Sequence, residues 1–277
     1  MKKSILITGC SSGIGLCAAE TLHKRGYRVF ATARKEGDVE RLKTLGLESL
    51  KLDINDSNSI KSALQEILQR TGGTLDALFN NAGYVQAGAV EDLSREAIRA
   101  QFETNVFGPL ELTSQLIPIM RQQGYGRIIQ NSSILGEVTL PFIGAYNASK
   151  FALEGFTHTL RQELRRSPIQ VSIIAPGPIL SKLRENAKSY FNRDKIKLSS
   201  VYKEAYQRIE KRYSEQTPAS ELRHSLAPEA VVKDLIHALE SKHPKTHYYT
   251  GSSAKLLSFL RRLLSERMLD WFLIKVS

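Results

Sequence analysis

The chain has 277 residues, 42% hydrophobic and 24% charged, a composition in which one large core forms without disulfides or structural metal. Its two cysteines, Cys10 and Cys17, fit no metal-ligand or Cys-x-x-Cys spacing, and no apolar run reaches membrane-spanning length. No secretory leader is visible, so a reducing cytoplasmic setting is expected. The net charge of +11 falls mostly in residues 181–277, which hold 19 Lys+Arg against 11 Asp+Glu. No nucleic-acid-binding module accompanies that charge, and a solvated basic surface is the reading preferred to a nucleic-acid partner.

In chain order, residues 4–8 read as a strand and 14–25 as a helix. Residues 28–32 and 47–52 follow as strands, and 57–70 as a helix. Strands are predicted again over 75–79, 127–130 and 170–174, with a long helix over 146–166 between the last two. Strands alternating with helices at this spacing imply parallel strands joined by helical crossovers, with helices on both faces of an apolar sheet. After Pro176-Gly177-Pro178 the pattern breaks. Residues 181–226 are polar, with a helical patch over 201–213, and read as a helical insertion over a ligand site. A helix over 228–240 and a last strand over 246–250 complete a single domain spanning 1–277.

The run Thr8-Gly9-Cys10-Ser11-Ser12-Gly13-Ile14-Gly15 follows a strand and opens a helix. Glycines let the backbone turn tightly against a pyrophosphate, and the helix N-terminus offers unpaired N–H groups to it. The second strand ends in Ala31-Thr32-Ala33-Arg34-Lys35. An NAD-selective site has an acidic residue there for the ribose hydroxyls. Two cations in its place suit a 2′-phosphate, with Ser12 adding a hydroxyl, so NADP(H) is favoured over NAD. Asp53, closing the third strand, can accept from the adenine amino group. Asn80-Asn81-Ala82-Gly83 follows the fourth strand, where the asparagines either brace the sheet or form a plain turn.

Tyr146 and Lys150 stand four apart on one helix face. A free tyrosine titrates near pH ~10. An adjacent ammonium, a cationic nicotinamide and a desolvated cleft are expected to lower it, so that the phenol exchanges a proton as hydride moves. Ser133, at the end of the fifth strand, can hydrogen-bond the substrate oxygen.

Taken together, these features resemble the short-chain dehydrogenase/reductase family over residues 3–250. The resemblance is carried by the glycine turn, Asn80 to Gly83, Asn105, Ser133, Tyr146 with Lys150, and Pro176-Gly177. It implies a doubly wound, Rossmann-type sheet with the dinucleotide along the carboxyl ends of its strands. Cofactor contacts are implied at Gly9, Ser11, Ser12, Gly13, Ile14, Gly15, Ile54, Asn81, Ala82, Gly83, Pro176, Gly177 and Ile179. Lys150 would reach the nicotinamide ribose. Asn105, by itself only a polar residue inside a helix, would hold a water linked to Lys150. The family's threonine after Pro-Gly is replaced by the run Pro178-Ile179-Leu180-Ser181, in which Ser181 keeps the hydroxyl. The local wording is closest to a subset that includes retinol and 17β-hydroxysteroid dehydrogenases and bacterial NADP-dependent aldehyde reductases. That subset implies a small-molecule, lipophilic or aromatic carbonyl substrate.

Residues after Ser133, namely Glu137, Val138, Leu140 and Phe142, are expected to line the substrate pocket. Tyr190, Phe191, Tyr202 and Tyr206 either face an apolar ligand or pack as core. Residues 255–275 form a basic amphipathic stretch, read as one C-terminal helix within 254–277. It can dock on the sheet, on a second copy in a homo-oligomer, or on an anionic membrane surface. A non-catalytic nucleotide sensor on the same fold is the competing function, and a sensor has no use for a poised phenol.

Overall fold

The computed structural model describes residues 2–181, 200–214 and 225–276. Seven parallel strands form one sheet in the order β3-β2-β1-β4-β5-β6-β7. They are β1 (Ser4–Ile7), β2 (Arg28–Ala33), β3 (Glu48–Lys51), β4 (Ala77–Asn80), β5 (Gly126–Asn131), β6 (Ile169–Pro176) and β7 (His247–Thr250). Side chains alternate across a strand, and β1 shows how both faces come to be covered. Ile5 and Ile7 pack into one apolar layer with Ala18, Ala19 and Leu22 of α1 (Gly13–Lys24) and Val231, Leu235 and Leu239 of a late helix. Leu6 faces the other layer, with Ile60, Leu64 and Ile67 of α3 (Ser57–Thr71) and Leu112, Leu116 and Met120 of α5 (Gly108–Gln122). β1 pairs with both β2 and β4, so the strand order reverses beside it and opens a crevice at the carboxyl edge.

The strands and long helices stand within a few residues of their predicted places. Three helices have no counterpart in the sequence reading: α2 (Glu36–Thr44), α4 (Arg95–Phe102) and α5. α2 buries only Val39 and Leu42, and α4 only Ala97 and Gln101, too little for a clear apolar stripe. A π-turn over Glu103–Phe107 and Pro118 inside α5 break the period of the segment between. The long helix α6 is Gly144–Glu163, and α7 is Lys203–Ser214. Of the predicted 181–226 insertion, residues 182–199 and 215–224, with Tyr190 and Phe191, lie outside the described residues.

The basic tail departs from its expectation. After α8 (Glu229–Glu240) and β7, residues 255–275 form not one helix but two, α9 (Ser252–Leu263) and α10 (Glu266–Val276). Leu264 takes an extended conformation (ψ 147°) and turns the chain. The turn lets Leu269 and Leu273 pack with Ala254 against Ile134 and Val138 of the domain body.

Candidate active site

The carboxyl edge of the sheet gathers the residues singled out above. The turn between β1 and α1 needs its glycines. Gly13 has φ +58°, and a Cβ on Gly15 would lie 2.3 Å from the Gly9 carbonyl oxygen. Ser12 caps α1 in an extended conformation without a side-chain hydrogen bond, so the helix N-terminus is not closed by its own cap. Ser181 lies across the turn, its Cβ 3.1 Å from where a Gly13 Cβ would be.

Behind this turn, hydrogen bonds join three strand ends. Thr8 Oγ1 accepts from the amides of Asn81 (2.9 Å) and Ala82 (3.0 Å). Asn81 Nδ2 donates to the carbonyls of Thr8 (2.9 Å) and Gly9 (3.2 Å), and its Oδ1 accepts from Asn131 Nδ2 (2.9 Å). Asn81 is therefore a brace rather than a plain turn former, as is Asn80, whose Nδ2 donates to Thr113 Oγ1 (2.9 Å). Gly83 follows and faces the Asn105 carboxamide. Asp53 accepts from the Asn55 amide (3.0 Å), and Ile54 packs over Gly108. Pro176 ends β6, the Gly177 amide donates to Thr250 O (3.0 Å), and Ile179 bridges to Leu226.

Arg34 and Lys35 are exposed at the end of β2. A third cation joins them that the sequence reading passed over: Arg41 of α2 donates to the Ser11 carbonyl of the glycine turn. Only the placement of α2 brings it there.

Tyr146 and Lys150 share the buried face of α6, and Ser133 follows β5 beside them. Ser133 Oγ accepts from the Leu135 amide (3.2 Å), and its hydroxyl is near enough to the Tyr146 phenol to act on it. The expected lowering of the phenol by lysine is not what this geometry produces. Burial pushes the Tyr146 phenol up, and Ser133 pulls it partly back. The Lys150 ammonium instead donates to the Asn131 carbonyl (2.7 Å), with its Nζ 5.8 Å from the Tyr146 ring centre. Burial brings Lys150 down to about 8, and the Glu154 carboxylate opposes that shift.

Asn105 sits in the π-turn, a helical irregularity that recurs at functional sites. Its Nδ2 donates to the Tyr84 carbonyl (3.2 Å) and to Ser149 Oγ (3.0 Å), and its Oδ1 accepts from the Tyr84 amide (3.2 Å). The side chain thus ties the chain after Gly83 to α6.

The expected pocket residues divide. Val138 is core beneath the C-terminal helices. Phe142 has φ +64°, a strained value for a bulky residue, and meets Tyr202 and Tyr206 edge-on at 5.5 and 6.2 Å. Tyr206 is core: its hydroxyl donates to Asp92 Oδ2 (2.5 Å) and accepts from the Ala89 amide (2.9 Å).

Known proteins match this arrangement. The family model for short chain dehydrogenases matches residues 3–190. The oxidoreductase YbbO of Escherichia coli (strain K12) is 38% identical over 270 residues, covering 98% of this chain and 93% of that protein. Retinol dehydrogenase 16 of Mus musculus is 32% identical over 288 residues, covering 99% of this chain and 89% of its own. Among solved structures, an actinorhodin polyketide ketoreductase with NADPH superposes with a TM-score of 0.74 at 28% identity, over 91% of this chain and 97% of that one. With the sheet order, the glycine turn and the Ser133–Tyr146–Lys150 cluster in place, the chain belongs to the short-chain dehydrogenase/reductase family of oxidoreductases, in the subset that includes retinol and 17β-hydroxysteroid dehydrogenases.

Proposed function

We propose that the protein is an NADP(H)-dependent oxidoreductase that moves a hydride between nicotinamide and the carbonyl or alcohol carbon of a lipophilic aldehyde, ketone, retinoid or steroid-like substrate. The observation that carries this reading is the buried Tyr146 phenol flanked by Lys150 and Ser133, on the same sheet edge as a turn where Gly15 has no room for a side chain. That cradle, the α1 N-terminus and the cations nearby fit a dinucleotide phosphate chain. Bound there, the cofactor supplies or accepts the hydride. Arg34 and Lys35, with no carboxylate at the end of β2, favour the 2′-phosphate, and Arg41 steadies the turn from α2. In the reductive direction Ser133 holds the substrate oxygen, and Tyr146 delivers the proton that neutralises it. Lys150 fixes the floor of the site through Asn131 and keeps positive charge beneath the phenol.

Turnover of NADPH against a panel of aldehydes, retinoids, steroids and quinones tests the reading. Tyr146→Phe is expected to lower kcat/KM by about 10²–10⁴-fold while leaving NADPH affinity in place. Arg34→Glu is expected to raise the KM for NADPH about 10–100-fold with little change for NADH. Absence of turnover across the panel, or full activity in Tyr146→Phe, would overturn the assignment.

A second feature supports peripheral membrane contact. Trp271 and Leu263 are 62% and 67% exposed, alongside exposed Phe259, Met268 and Ile274. The same two helices carry Lys255, Arg261, Arg262, Arg267 and Lys275. Such a face fits an anionic lipid surface.

A further inference from the structure

One turn beyond Lys150 on α6, a second polar cluster lies between α6, the start of β7 and the chain after β5. The Glu154 side chain is 6% exposed, and neither carboxylate oxygen has a hydrogen-bond partner of normal geometry. The neighbouring Ser132 hydroxyl is in the same position. His158, on the same helix face, has Nε2 3.5 Å from Glu154 Oε2. His247 has Nε2 3.6 Å from Glu154 Oε1, and that nitrogen also lacks a partner. Ligand atoms from the three side chains lie within 4.8 Å of one another. Buried polar atoms converging without hydrogen bonds are uncommon in folded proteins and point to a missing participant.

We propose that Glu154, His158 and His247 bind one divalent transition-metal ion of the zinc type, a site separate from the hydride-transfer centre. A four-coordinate zinc with bonds of about 2.0–2.2 Å sets neighbouring ligand atoms about 3.3–3.6 Å apart. Each histidine Nε2 stands at such a separation from one of the two Glu154 oxygens, 3.5 Å from Oε2 and 3.6 Å from Oε1, and rotation of His158 and of the carboxylate brings one oxygen and both nitrogens around a single ion. The surroundings have the form of an outer ligand shell. His247 turns Nε2 to the cluster and Nδ1 toward Glu137 Oε1 at 3.7 Å. Glu137 accepts from the Tyr249 hydroxyl, and the Tyr249 ring stacks on His247 at 4.3 Å. A carboxylate behind an imidazole orients a metal-bound histidine and strengthens it as a ligand. His158 is 43% exposed, which provides an entry path and leaves a coordination position to solvent. Arg161 and Arg262 are near enough to the histidines to oppose a cation, so the ligand bonds must supply the affinity. The cysteine spacing, which fits no metal site, is blind to a histidine that enters from the last strand.

The test is titration of the chelator-stripped full-length protein with Zn²⁺ by calorimetry, with bound metal counted by mass spectrometry. About one Zn²⁺ per chain is expected, with His158→Ala and Glu154→Gln each weakening it by about tenfold or more. Co²⁺ is expected to give the visible bands of a four-coordinate site. His158→Ala alters a half-exposed ring and serves as the variant that keeps the fold, checked by circular dichroism. Zn²⁺ binding that His158→Ala leaves unchanged, or no stoichiometric binding at all, overturns the proposal.

Discussion

At the scale of single residues, the site is governed by what burial does to charge. Tyr146 gains no ion pair from Lys150, and desolvation holds its proton in place. In the free protein the phenol is therefore a proton donor at neutral pH, the form that carbonyl reduction uses. Alcohol oxidation needs the phenolate, and a raised phenol moves that form to higher pH. Oxidation kcat/KM is expected to rise with pH across the neutral and mildly alkaline range, while reduction stays flat over the same range. Paired pH profiles with NADP⁺ and NADPH check this, and oxidation that is fastest below neutrality would contradict it. Most of these residues were legible as types at fixed spacings, because α6 fixes Tyr146 and Lys150 four apart. Which atom Lys150 contacts was not legible, since Asn131 reaches it from another strand.

At the scale of elements, the site depends on strand ends being tied together where the sheet divides. Asn81 carries much of that load, touching β1 through Thr8 and β5 through Asn131. Asn81→Ala removes those bonds and leaves the Asn131 amide without its acceptor. The expected loss is about 2–4 kcal/mol, a fall in Tm on the order of 5–10 °C. Thermal unfolding that stays within about 1 °C of the parent would show the brace to be dispensable. The same scale explains what the sequence reading passed over. α2 and α4 have too few buried positions to show a periodic stripe, and Arg41 gains its contact only once α2 is placed.

For the whole molecule, the C-terminal helices have an inward face packed on the core and an outward face exposed to solvent. Leu269 and Leu273 belong to the domain core, so removing the tail would expose Ile134 and Val138 and confound any binding measurement. The outward face is tested by the paired substitution Leu263→Glu with Trp271→Glu, which leaves that core intact. The parent is expected to float with vesicles containing anionic phosphatidylglycerol and to detach as salt rises, while the double variant stays free. An open apolar depression of about 380 Å³ lies on this face beside Trp271 and Phe272. No flotation by the parent at low salt would remove the membrane reading. A dimer dispersed by the same pair would assign the face to a second copy.

The alternation of apolar runs, the glycine turn and the spacing on α6 determined the parallel sheet, the tight turn at its carboxyl edge and the placing of Tyr146 and Lys150 on one helix face. These are local patterns, each set by residues close together in the chain. Only the tertiary structure decided that burial raises Tyr146, that Lys150 caps a backbone carbonyl, that the tail folds into two helices, and that Glu154 meets His247. Those outcomes depend on groups distant in sequence and on how much water packing removes from between them, quantities that neither spacing nor composition encodes.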